Sequence, residues 1–297
     1  MRRWKAHRGK IASLSFSRDG RLLASVTGSG RDVFIWDALT GELVRKLTVA
    51  DEEGKSKRVD VQQVLFSPDQ PLLAAVRRFY VELWDTDAWA LTAEFEPMRD
   101  VAFELAIGPG PCPLIATGEV RHVDIWQQGH VPDAGLKRAA SWSINNVPDL
   151  AFSADGRWIA THTTSTVDIR DPVSGRRVTK YRHRQSNYTG PLCFSPNSTR
   201  LAYCSTKVIE AFRPDRPDPD DVIRYTGHTN KVWVLRYTPD GRSLISASSD
   251  GTVRVWEAVT GLLKQCFEMN VGKLLCADVS PDGTTAVAAV VRPLGRG

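Results

Sequence analysis

The chain has 297 residues, 42% hydrophobic and 25% charged, with a net charge of +5. That is ordinary for a globular protein, and the mild basic excess, without a clustered patch, does not argue for nucleic acid. Cys112, Cys193, Cys204, Cys266 and Cys276 form no Cys-x-x-Cys pair, which points to free thiols in a reducing compartment rather than a disulfide framework. Met1 is followed by Arg-Arg-Trp-Lys-Ala-His with no apolar leader, and no run of about 18 apolar residues follows. The expectation is a cytoplasmic protein that makes no membrane contact.

Taken in order, the chain repeats one unit. An apolar residue ends a strand and Ser/Thr-Pro-Asp-Gly or a relative turns the chain. This occurs at Phe16-Ser-Arg-Asp-Gly, Phe66-Ser-Pro-Asp, Ile107-Gly-Pro-Gly, Phe152-Ser-Ala-Asp-Gly, Phe194-Ser-Pro-Asn, Tyr237-Thr-Pro-Asp-Gly and Val279-Ser-Pro-Asp-Gly. The intervals are 50, 41, 45, 42, 43 and 42 residues. Chance does not hold seven strand–turn units in phase. The turn chemistry is specific: Pro presets φ, Asp or Asn bonds its own backbone, and Gly takes positive φ. An alternating strand follows each turn, as in Ser243–Ser248. Most copies then give a third: Val33–Asp37, Val81–Asp85, Val123–Gln127, Val167–Asp171, Val208–Phe212 and Val253–Glu257. A fourth, outer strand follows several of them, as at 42–47 and 262–267.

The unit is clearest over 227–257, GHTNKVWVLRYTPDGRSLISASSDGTVRVWE. Gly-His before the first strand and Trp plus an acid after the third resemble one WD repeat, the four-stranded blade of a β-propeller. The resemblance to the WD-repeat family covers almost the whole chain. It implies a single all-β domain over 1–297: a seven-bladed propeller of four-stranded antiparallel blades. Repeats are expected near 7–47, 58–95, 99–130, 142–181, 183–225, 227–267 and 270–297, with 1–6 as a closing outer strand. The tail Val291-Arg-Pro-Leu-Gly-Arg-Gly lacks a third-strand motif, so either the last blade lacks its third strand or the chain is a truncated product, and a strained or exposed edge is expected at the seam between blades seven and one. Six blades plus an extra hairpin is the alternative. Two insertions break the period. Residues 51–58 read as a solvated loop, and the proline-rich 213–221 as an extended, stiff spacer.

His228, Ser246 or Ser248, Asp250 and Trp256 are residue types that could make a catalytic triad. The family implies otherwise: a buried hydrogen-bond chain tying the outer loop to the third strand. Only the sixth copy has the whole set; the first keeps His7 and Trp36, with Gly30 where the acid would be. No Walker loop, dinucleotide fingerprint or metal-ligand spacing is present, so no cofactor or metal is expected. The resemblance places partners on the face where the inner strands start. Lys10, Asp60, Phe103, Asn146, Tyr188, Lys231, Trp233 and Lys273 are the candidates there, with Trp233 as an exposed anchor beside Lys231. The expected function is a non-catalytic scaffold for a partner protein or peptide. The alternatives are an enzyme, or a nucleic-acid binder using Lys10, Lys55, Lys57, Arg58, Lys231 and Lys273.

Overall fold

The computed structural model describes residues 6–7, 9–48, 60–77, 80–95, 102–119, 121–128, 136–144, 149–183, 190–269 and 273–291. They form six four-stranded antiparallel sheets and one two-stranded sheet, the blades of a β-propeller. Blade one is β1 (Ile11–Phe16), β2 (Leu22–Thr27), β3 (Val33–Asp37) and β4 (Leu43–Leu47). Blade two is β5 (Val61–Phe66), β6 (Leu72–Arg77), β7 (Val81–Asp85) and β8 (Ala90–Phe95). Blade three is β9 (Ala102–Ile107), β10 (Ile115–Glu119), β11 (His122–Gln128) and β12 (Leu136–Ser143). Blade four is β13 (Asp149–Phe152), β14 (Ile159–His162), β15 (Thr166–Arg170) and β16 (Arg177–Arg182). Blade five is β17 (Leu192–Phe194), β18 (Leu201–Ser205), β19 (Val208–Phe212) and β20 (Ile223–Tyr225). Blade six is β21 (Val232–Tyr237), β22 (Ser243–Ser248), β23 (Thr252–Glu257) and β24 (Leu263–Glu268). The seventh sheet is the hairpin β25 (Lys273–Val279) and β26 (Ala286–Val291).

Seven four-stranded blades are therefore corrected to six, with two strands from the seventh repeat among the described residues. That hairpin is not an appendage. Its strand β25 packs between β21 and β1, so the first strands of all seven sheets form a closed ring. Two side chains lock the closure. Asp278 Oδ2 accepts from the Phe16 amide at 2.9 Å, and its Oδ1 accepts from Arg236 Nε at 3.2 Å. Similar stitches join other neighbours: Ser15 Oγ accepts from the Phe66 amide at 2.9 Å, and Asp149 Oδ2 from the Leu192 amide at 2.6 Å.

The local chemistry explains the strands. In the turn after β21, Thr238 Oγ1 donates to Asp240 Oδ1 at 2.6 Å, and Asp240 accepts from the Arg242 amide at 3.0 Å. Gly241 then takes φ 67°, a conformation that a side chain disfavours. The Ser-x-Asp pairs Ser17–Asp19, Ser153–Asp155 and Ser280–Asp282 repeat this turn. Third strands bury alternate apolar residues on one face: Val33, Ile35, Val123, Ile125, Val167 and Ile169 are buried. Each blade packs its second and third strands on the next blade, as Ala24, Val26, Val33 and Ile35 pack on Val61, Val64 and Phe66.

The closing strand expected at 1–6 and the loop at 51–58 lie almost wholly outside the described residues. The spacer at 213–221 is not simply extended. It contains a 3-10 turn at Pro219–Asp221, capped by Asp218 and held by Arg200, which donates to Asp221 Oδ1 at 2.7 Å.

Candidate functional site

The candidate catalytic set comes together in blade six as a structural tie. Gly227 precedes His228 at φ 143°, where a Cβ would lie 3.5 Å from Trp256 and run into the Arg254 guanidinium. The bare backbone lets His228 drop inward. Its Nδ1 donates to Asp250 Oδ2 at 2.8 Å, and its Nε2 lies 2.7 Å from Ser246 Oγ. Trp256 Nε1 donates to the same Oγ at 2.8 Å. The proton order runs Trp256 to Ser246 to His228 to Asp250. Ser248 stands beside this chain, donating to the Asn230 carbonyl at 3.1 Å and accepting from the Asp250 amide.

That polarity matches a serine–histidine–aspartate relay, but the setting does not. Ser246 and Ser248 are fully buried, and the indole N–H occupies an Oγ lone pair that a nucleophile would use. Burial pushes the Asp250 carboxyl up, but hydrogen bonds from Thr252, His228 and the Thr229 amide outweigh it and hold it at about 2. Burial lowers the His228 imidazole, against the pull of Asp250, so it stays neutral at pH 7. The chain satisfies buried polar groups.

The other blades solve the same problem differently. The register places Ser25, Ala75, Thr117, Thr161, Tyr203 and Ser246 in equivalent positions. In blade one His7 Nε2 lies 2.7 Å from Ser25 Oγ, which also accepts from Trp36 Nε1 at 2.7 Å. In blade three Trp126 donates to Thr117 Oγ1 at 2.9 Å. In blade two Ala75 offers no hydroxyl, so Trp84 turns to Glu82 Oε2 at 3.4 Å. Arg77 pairs with Glu82, both fully buried, and donates to the Arg31 carbonyl at 3.0 Å. In blade four Arg170 replaces the tryptophan and donates to the Gly175 carbonyl. In blade five Tyr203 fills the serine position and donates to Glu210. His183, just after β16, meets His162 of β14, Nε2 to Nε2 at 3.2 Å.

Sequence reasoning missed the acid opposite that position in four successive blades: Glu82, Asp124, Asp168 and Glu210. Each meets an arginine, respectively Arg77, Arg138, Arg177 and Arg224. Their signal is an acid two residues before the strand-ending Trp, Arg or Phe. Also missed was a polar set on the inner strands. Gln63 Nε2 donates to Glu104 Oε1 at 2.8 Å, and the next equivalent position is Asp149. Burial, then the Asp149 charge, drives the Glu104 carboxyl well above its usual range. Burial raises Asp149 to about 7, against the Leu192 amide and Arg236.

These two carboxyls bind protons in the fold that they release when unfolded. Between pH about 4 and about 7 the native state therefore holds more protons, and stability falls as pH rises through that window. Asp149→Asn is expected to flatten the fall in urea-unfolding free energy between pH 4 and pH 7. An unchanged slope would remove Asp149 as its source.

The expected partner-facing residues are only partly brought together. Lys10, Asp60 and Lys231 are exposed just before β1, β5 and β21, and Lys273 opens β25. Those four strands are consecutive around the ring. Trp233 is half-buried rather than a free anchor; its indole donates to Ser249 Oγ, and its ring packs with the core between blade six and the hairpin. Phe103 lies on β9. Asn146 and Tyr188, like Lys55, Lys57 and Arg58, fall outside the described residues. No group of three or more His, Cys, Asp or Glu among the described residues could hold a metal ion, and no helix there is long and apolar enough to cross a membrane.

A ring of antiparallel blades, five of which link their second and third strands through a buried or half-buried polar pair, is a β-propeller of the WD type. The family model for the WD domain, G-beta repeat, matches residues 1–37 and 220–257. An uncharacterized WD repeat-containing protein of Synechocystis sp. is 28% identical over 149 residues, 50% of this chain and 30% of its own. The WD repeat-containing protein 26 homolog of Arabidopsis thaliana is 23% identical over 96% of this chain and 47% of its own. Apoptotic protease-activating factor 1 of Danio rerio is 25% identical over 83% of this chain and 19% of its own. The chain thus spans less than half the length of each of these relatives. The family match and these relatives support a WD-repeat protein.

Proposed function

We propose that this propeller is a non-catalytic scaffold that holds a partner protein or peptide on the face where the inner strands start. The supporting observation is the run of Lys231, Lys273, Lys10 and Asp60 at the mouths of four consecutive inner strands, three of them exposed. A closed ring fixes these positions before binding, so little ordering entropy is lost when a partner docks. A mouth rich in lysine favours an acidic or mixed peptide surface. Two of the relatives named above are WD repeat-containing proteins, and this chain covers less than half the length of each, which fits a module that positions something for its neighbours.

The test uses Lys10→Glu/Lys231→Glu, because Trp233 is tied into the core and its loss would disturb the fold. A partner captured from the source lysate by wild type is identified, purified and titrated against both proteins. At least tenfold weaker binding by a variant with an unchanged melting curve supports this face. Equal affinity for both moves the site elsewhere on the ring.

A further inference from the structure

One buried side chain breaks the pattern of the second strands. The register sets Val26, Val76, Gly118, His162, Cys204 and Ala247 in equivalent positions, one residue beyond the serine position of each four-stranded blade. All six are buried, and five of them are small or apolar. Blade four places an imidazole there, and His162 is fully buried. Packing between blades does not ask for it, since the other five blades close on nothing larger than valine. A buried polar ring costs desolvation unless its nitrogens are engaged.

Both nitrogens of His162 are engaged, in two different ways. Its Nδ1 donates to the Gly190 carbonyl at 2.9 Å, where the chain enters blade five. That bond fixes the tautomer and leaves the lone pair on Nε2. Nε2 meets Nε2 of His183 at 3.2 Å, and His183 is half-buried. The two ring centroids are 5.1 Å apart, with the planes at 67°. Rings set end to end at that nitrogen spacing would stand further apart, so the pair is bent rather than collinear. Tyr203 packs against both rings, with centroids 5.3 Å from His162 and 5.2 Å from His183. Its hydroxyl donates to Glu210, so Tyr203 walls the pair without bonding to it.

We propose that His162 and His183 form a two-imidazole site for a divalent transition-metal ion of the Zn2+ class. A tetrahedral ion that holds its nitrogens at about 2.0–2.1 Å sets them about 3.3 Å apart, close to the 3.2 Å spacing already present. A ligating histidine commonly donates its other N–H to a backbone carbonyl, which fixes the ring, as Gly190 does for His162. Imidazole suits Zn2+, Cu2+ and Ni2+, whereas Mg2+ and Ca2+ take oxygen ligands. Binding is an exchange: the hydrogen on His183 Nε2 moves to Nδ1, and the ion takes its place between two neutral rings. Two protein nitrogens are fewer than the three of most catalytic zinc sites, so water on the open side of His183 fills the remaining positions. The ion would tie the second strand of blade four to the segment that leads into blade five. His228 and Ser246 make the comparable tie in blade six by hydrogen bonding. This site is distinct from the inner-strand face and does not depend on it.

The probe is Zn2+ alone, titrated by calorimetry near pH 7 into the whole chain after treatment with a chelator, with Mg2+ as the hard-ion control. The expected result is one Zn2+ per chain, saturating below about 100 µM, and a melting temperature that rises with free Zn2+. His162→Val writes in the residue that blades one and two carry at Val26 and Val76, so the variant is expected to fold. It should weaken Zn2+ at least tenfold and remove the thermal shift. His183→Gln, at a half-buried position, should do the same, and it carries the test if His162→Val does not fold. Lack of saturation up to about 1 mM overturns the proposal and leaves the pair as an N–H···N hydrogen bond. Zn2+ binding that both variants leave intact also overturns it, and assigns the ion to the other histidines or the exposed cysteines. So does Mg2+ binding of equal strength.

Discussion

Glu82→Ala is expected to lower the stability of the fold by about 3–5 kcal/mol, among the largest effects of any single change here. Glu82 and Arg77 are buried completely and pair inside blade two. Removing the carboxylate takes the Glu82 charge away from a buried guanidinium, and Trp84 loses its acceptor. The pair itself is not the source of net stability. Burial raises the Glu82 carboxyl in spite of Arg77, so desolvation outweighs the attraction. The double change Arg77→Leu/Glu82→Leu should therefore recover most of the loss, because it removes both charges together. Urea unfolding of the three proteins gives the answer. Equal losses for the single and double variants would mean that the pair acts through packing rather than charge.

His228→Ala should cost about 1–3 kcal/mol, since it leaves the Ser246 hydroxyl and the Asp250 carboxylate short of a partner. His7→Ala should cost less. His7 is half-buried, bonds Ser25, and has no acid behind it among the described residues. The comparison isolates the aspartate's part in the tie, because both histidines meet a serine that also serves a tryptophan. A loss within error for His228→Ala, measured by denaturant unfolding, would show that the loop is held by backbone contacts alone.

Turns and third strands were legible in the sequence because their chemistry is local. Thr238, Asp240 and Gly241 specify a turn within four residues, and Val253–Trp256 begins and ends on buried apolar residues. Arg77 and Glu82 were harder to read. Their partnership depends on Ala75 having no hydroxyl to offer Trp84, which is visible only once the register is known. Glu104 and Asp149 were missed for a similar reason. They lie three residues before Ile107 and Phe152, on the inner strands, whereas the positions read for partner binding lie four and six before each anchor. Trp233 shows the opposite error: its place at a strand mouth suggested exposure, but Ser249 draws its indole inward.

The bond from the Phe16 amide to Asp278 joins residues 262 apart in the chain. Nearly every other tie in the ring links a blade to itself or to the next one along. Blades can therefore form one after another as the polypeptide leaves the ribosome, each resting on its predecessor. The joint between the hairpin and blade one must wait for the last of them. Closing so long a loop is entropically costly and slow compared with hairpin formation. Until it closes, the inner edge of blade one lacks its neighbour, and the nascent molecule passes through an open arc before it becomes a circle.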